Sequence, residues 1–207
     1  MYKKITHTIV EEHFDGADSD MIRMSMKLRQ PAMTEQALRD FVTDYFNRYN
    51  DKMNMLISTV TTPADITNIS TELFQMADEF GNHAKQFYGL EFGEAYNSTN
   101  KSALVNYINA VMLAQQKKDT LFNKNRANSL ANDFANIFTI YNNRWLYNDI
   151  IPVFTNWLVG YMDQIDALAQ KNTAGADAAK TSTSAAIDTL INTYVSGTVD
   201  KYRNMFL

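Results

Sequence analysis

The stretch that decides the fold is ITNISTELFQMADEFGNHAKQFYG, residues 66–89. Ile66, Ile69, Leu73, Met76, Phe80, His83 and Phe87 recur at alternating steps of three and four until the run stops at Tyr88-Gly89. At 3.6 residues per turn that spacing lays all of them along one stripe of an α-helix. A stripe this regular must be buried against facing helices, so it predicts a helical bundle. The imidazole within it makes His83 the first residue to ask about chemistry.

The same period extends outward in both directions. Thr34 reads as the cap of a helix carrying Leu38, Phe41, Val42, Tyr45, Tyr49, Leu56 and Val60 and running to about Thr59. Thr61-Thr62-Pro63 reads as a cap with proline at the first helical position of the next helix, which Gly89 closes. Residues 90–99, with Gly93, Asn97, Ser98 and Thr99, read as a connection, and a helix with Leu104, Ile108 and Val111 starts near Asn100. From Asn125 onward Ala127, Leu130, Ala131, Phe134, Ile137, Phe138 and Tyr141 fit the amphipathic template. Residues 142–152 are ambiguous because Pro152 interrupts backbone pairing, and a helix from about Pro152 carries Trp157, Tyr161, Ile165 and Leu168. Near the start, residues 15–20 are turn chemistry, and Met21, Met24 and Leu28 form a short helix ended by Pro31.

No strand pair with a hairpin signal occurs, so the expected class is all-α, a bundle of about six to seven helices. The expected organisation is an N-terminal arm over residues 1–14, a bundle over 15–171, a flexible linker over 172–184 and a C-terminal amphipathic helix over 185–207. The linker rests on a run of small and polar residues, and the last helix on Ile187, Leu190, Ile191, Tyr194, Val195, Val199, Tyr202 and Phe206. A helix on such a linker can pack on its own chain or on a neighbour's.

Composition narrows the chemistry. The 207 residues include no cysteine, which excludes disulfides, thiolate metal sites and cysteine nucleophiles. Any metal must use oxygen and imidazole ligands. A formal net charge of -4 argues against binding through nucleic-acid phosphates, and the basic stretch of Lys117, Lys118, Lys124 and Arg126, interrupted by Asp119, reads as a solvated helix face. The N-terminus meets Thr6, His7, Glu11 and Glu12 before an apolar core can form, so no secretion signal is expected. Residues 150–162 fall short of the ~20 apolar residues a membrane span needs. The expectation is a chain that neither enters a membrane nor is secreted, cytoplasmic or built into a virion.

The segment from Asp78 through Gly81-Asn82-His83 to Tyr88-Gly89, with Gly93 and the helix from Asn128 to Trp145, resembles a small all-helical family of unassigned function found mainly in bacteria and archaea. Members of that family tend to show an Asp-x-Gly-Asn segment leading into a Tyr-Gly turn, and an early Glu-His pair whose place Glu12-His13 takes here. The chain lacks the later Glu-His repeats of the family. The resemblance therefore implies an all-helical fold and brings no activity with it.

Among chemical candidates, Glu79 and His83 stand four residues apart on one helix face, where they can form a charge-assisted pair or share a divalent ion. A di-iron bundle needs Glu-x-x-His spacing on two helices, whereas the spacing here is Glu-x-x-x-His and occurs once. Glu12 and His13 complete a carboxylate-histidine metal site only if the N-terminus folds back. Neither a Gly-x-Ser-x-Gly elbow nor a phosphate loop is present, and Gly160 and Gly197 inside helical patterns read as close helix crossings. With no catalytic constellation and no cofactor motif, the expected role is a non-enzymatic structural or assembly bundle. Its expected partners are proteins, in a homo-oligomer or larger particle, with the metal bundle as the alternative. Phe74, Tyr88, Leu158 and Met162 lie beside their main seams and predict a second layer of helices or a partner subunit. His83 is expected to be partly buried and hydrogen-bonded to Glu79 or to a facing helix.

Overall fold

The computed structural model describes residues 33–62 and 64–206. The arm over 1–14, the short helix at Met21–Leu28, and the candidates Glu12 and His13 lie outside the described residues. Within the unit Thr34–Leu207 the chain is all-helical, with no strand among the described residues. Six helices follow in order: α1 Glu35–Ser58, α2 Ile66–Tyr88, α3 Leu90–Gln115, α4 Leu121–Tyr141, α5 Tyr147–Ala169 and α6 Thr173–Lys201, then a short 3-10 turn at Arg203–Met205.

Each helix packs on the next, and α6 returns to pack on α1, so the six close into a ring. Short connections make successive helices antiparallel neighbours. Helix α5 also reaches α1 and α3 across the middle.

Local chemistry accounts for most boundaries. The Thr34 hydroxyl accepts from Ala37 N at 3.0 Å and starts α1 as expected. Helix α2 begins at Ile66, where the Asp65 carboxylate takes the free amides of Thr67 and Asn68 at 3.0 and 3.2 Å, and Pro63 lies outside the described residues. A carboxylate at the positive end of a helix is a stronger cap than a threonine hydroxyl. Gly89 turns the chain between α2 and α3 alone, at φ 85, a conformation costly for any residue with a Cβ.

Three expected boundaries are corrected. Residues 90–99 are not a connection but the first turns of α3. A methyl group on Gly93 would press on the Gly81 carbonyl, and one on Gly81 would strike the Asn97 amide, so these glycines let α2 and α3 fold flat against each other about Gly89. Residues 172–184 are not a linker, since α6 runs unbroken from Thr173. Alanine there has the highest helix propensity, Asn172 Oδ1 caps the helix on Gly175 N at 2.9 Å, and small side chains admit close packing on α5. Thr183 lies where a side chain on Gly160 would have to go, and its hydroxyl accepts from Gln164 at 3.2 Å. Helix α5 begins at Tyr147 rather than near Pro152, with the proline inside it.

The C-terminal helix is therefore core of its own chain: Ile187, Leu190, Tyr194 and Val195 are buried. Leu158, Met162 and Tyr88 are buried as well, covered by other helices of the same bundle. Phe80 sits at the centre, with ring centroids of Tyr45, Phe46, Tyr96 and Tyr194 4.6–5.5 Å away, within the range where edge and offset aromatic contacts add to burial. Gly197 gives room to Trp145, whose indole N–H donates to Thr193 O at 3.0 Å. Of the two interior glycines expected to mark close helix crossings, Gly160 does so, whereas Gly197 admits the Trp145 ring from the connection between α4 and α5.

Candidate functional site

His83 and Glu79 share a helix face but not a partner. The Glu79 carboxylate faces α1, where Arg48 donates to its two oxygens at 2.6 and 3.3 Å while holding Asp44 at 2.7 Å. His83 lies half-buried, stacked on Phe41 with ring centroids 3.7 Å apart and interplanar angle 21°, and next to Phe87 at 5.7 Å. Phe87 in turn stacks on Phe206. The imidazole Nε2 is buried without a hydrogen-bond partner among the described residues. The expected bond to Glu79 is thus replaced by an aromatic nest, because Arg48 is the better charge partner for the carboxylate. Burial lowers the His83 pKa to about 4, outweighing the attraction of Glu79.

For the carboxylate-histidine metal reading, no group of three or more His, Asp or Glu that could hold a metal ion occurs among the described residues. The buried phenols serve the core. Tyr49 donates to Asn100, Tyr107 to the Leu158 carbonyl and Tyr161 to Asn50 at 2.9–3.0 Å, and burial pushes all three well above the ordinary tyrosine pKa. Tyr88, Thr198 and Asn142 form a buried knot in which the Asn142 amide donates to Gly197 O at 2.8 Å and its carbonyl accepts from Arg144 N at 3.0 Å.

The surface feature that stands out is a groove of about 630 Å³ between the outer faces of α3 and α4, within the range of pockets that bind ligands. Val105, Leu113 and Phe122 give it apolar walls, Lys101 and Arg126 supply cations, and Ser98, Asn109 and Asn123 add polar groups. No carboxylate among the described residues lines it. Phe122 is 80% exposed and Val105 52%, with Met112 and Leu121 exposed on the same two helices. Its floor is a pair of amides: Asn106 donates to Asn123 O at 2.9 Å, and Asn123 donates to both Asn106 oxygens at 3.0 Å. That pairing uses the Asn123 NH₂ and leaves its buried Oδ1 without a donor among the described residues.

Sequence reasoning passed over this groove. The run Lys117–Arg126 reads as a solvated face, yet Lys124 binds Asp163 and Arg126 turns to the groove. The available signal was Phe122, an aromatic residue off the α4 seam in a basic stretch. No helix among the described residues is long and apolar enough to cross a membrane. Comparison with protein-family models, curated proteins and solved structures finds no match for this chain.

Proposed function

We propose that this protein is a non-enzymatic structural or assembly component, a helical bundle that joins other protein subunits through the α3–α4 groove in a homo-oligomer or larger particle. The observation that carries this reading is the groove itself. Exposed Phe122 and Val105 face a channel whose described lining has cations and no carboxylate, on helices whose inner faces are already satisfied by the core. Clustered exposed apolar groups with a polar rim are the usual composition of a protein contact surface.

Light scattering of the purified full-length protein over a range of concentration tests it. The expected result is concentration-dependent assembly that Val105→Ser with Phe122→Ser reduces while the melting temperature holds. A strictly monomeric protein at high concentration overturns the reading.

A further inference from the structure

Resting on that reading, we infer that the groove is filled by the acidic segment Glu11–Asp20 and the apolar residues after it, donated by a neighbouring copy of this chain. The groove specifies its occupant chemically. Among the described residues Arg126 has Ser129 Oγ as its side-chain partner, at 3.3 Å, and no carboxylate. Lys101 is held by Asp78 at 2.6 Å. An occupant must therefore bring carboxylates for Arg126 and apolar side chains for Val105, Leu113 and Phe122. An acidic peptide with interspersed apolar residues brings both.

A second copy docking groove to groove does not, because each groove's described lining offers the other cations and no carboxylate. Elsewhere in this chain one run matches. Glu11, Glu12, Asp15, Asp18 and Asp20 occur within ten residues without a lysine or arginine, Phe14 lies among them, and Met21, Ile22 and Met24 follow around Arg23. Methionine suits an adaptable apolar contact.

Length agrees. The wall from Ser98 to Leu113 on α3 is about 22 Å long at 1.5 Å per residue, and ten extended residues span about 33 Å. The assembly proposed above requires a contact between copies, so the donor is a neighbouring copy. Donation from copy to copy is a head-to-tail contact, which builds rings or filaments instead of closed pairs.

The test uses full-length chains, one preparation isotopically light and one heavy, mixed and exchanged. Carbodiimide then couples carboxylates directly to lysines. The expected result is links from Glu11, Glu12 or Asp15 to Lys101, Lys117, Lys118 or Lys124, with light–heavy pairs as abundant as light–light and heavy–heavy pairs together. Arg126→Glu is expected to weaken self-association at least about tenfold, or about 1.4 kcal/mol, and mixing it with a chain carrying Glu11→Lys, Glu12→Lys and Asp15→Lys to restore association. Links confined to light–light and heavy–heavy pairs overturn the inference by placing the segment in its own chain. Assembly without links from residues 11–20 overturns it and leaves the proposed function standing, whereas a chain that never assembles removes both.

Discussion

Replacing His83 with leucine separates a buried, unpaired imidazole from one paired with Glu79. In the fold the ring stacks on Phe41, its Nε2 lacks a partner, and its pKa is lowered to about 4. An ordinary histidine titrates near 6.5. The folded state therefore resists the proton that the unfolded chain accepts, so wild-type stability is highest above pH ~6.5 and falls as pH drops toward about 4. At about 1.4 kcal/mol per pH unit the interval sets a ceiling near 3 kcal/mol. The ring is only half-buried and solvent screens part of the penalty, which leaves roughly 1–2 kcal/mol. Leucine at this position carries no such dependence. At pH 7.5 His83→Leu is expected to match or slightly exceed the wild type, because it removes an unsatisfied buried nitrogen while giving up the Phe41 stack. Urea unfolding read by the fluorescence of buried Trp145 and Trp157 measures both proteins. Between pH 7.5 and 4.5 the wild-type midpoint is expected to fall relative to the variant by about 0.5–1 M, for an m-value near 2 kcal/mol/M. A flat difference refutes the buried-imidazole account, and a wild type that gains on the variant as pH falls returns His83 to a charge pair.

Two further predictions concern packing. Gly160→Ala is expected to destabilise by about 1–3 kcal/mol through overpacking, since the new methyl group meets Thr183 Oγ1. Thr183→Ala in the same chain relieves the collision, so a double-mutant cycle by urea unfolding is expected to show at least about 1 kcal/mol of favourable coupling, and simple additivity argues against the close crossing of α5 and α6. Asn142→Ala removes a buried amide that donates to the Gly197 carbonyl and accepts from the Arg144 N–H and is expected to cost about 2–3 kcal/mol. Calorimetry should show a melting temperature lower by roughly 5–10 °C, and a change within error means that water replaces the amide.

The all-helical class, the cap at Thr34, the stop at Gly89 and the seam through Ile69, Leu73, Met76, Phe80 and Phe87 were all legible in the sequence, because helix periodicity and caps are properties of residues a few positions apart. Asp65 in place of Thr62, and helices through residues 90–99 and 172–184, were not. Small residues look like linkers locally, and only a facing backbone shows that Gly93 and Thr183 are spaced for close contact. The candidate site divides the same way. Placing Glu79 and His83 on one face follows from spacing alone, but the choice of Arg48 by one and Phe41 by the other depends on α1, a helix distant in sequence. The α3–α4 groove is wholly tertiary. Val105 and Phe122 each look like stray apolar residues until the two helices are set side by side, because a groove is a property of the space between elements and no single stretch of chain encodes it.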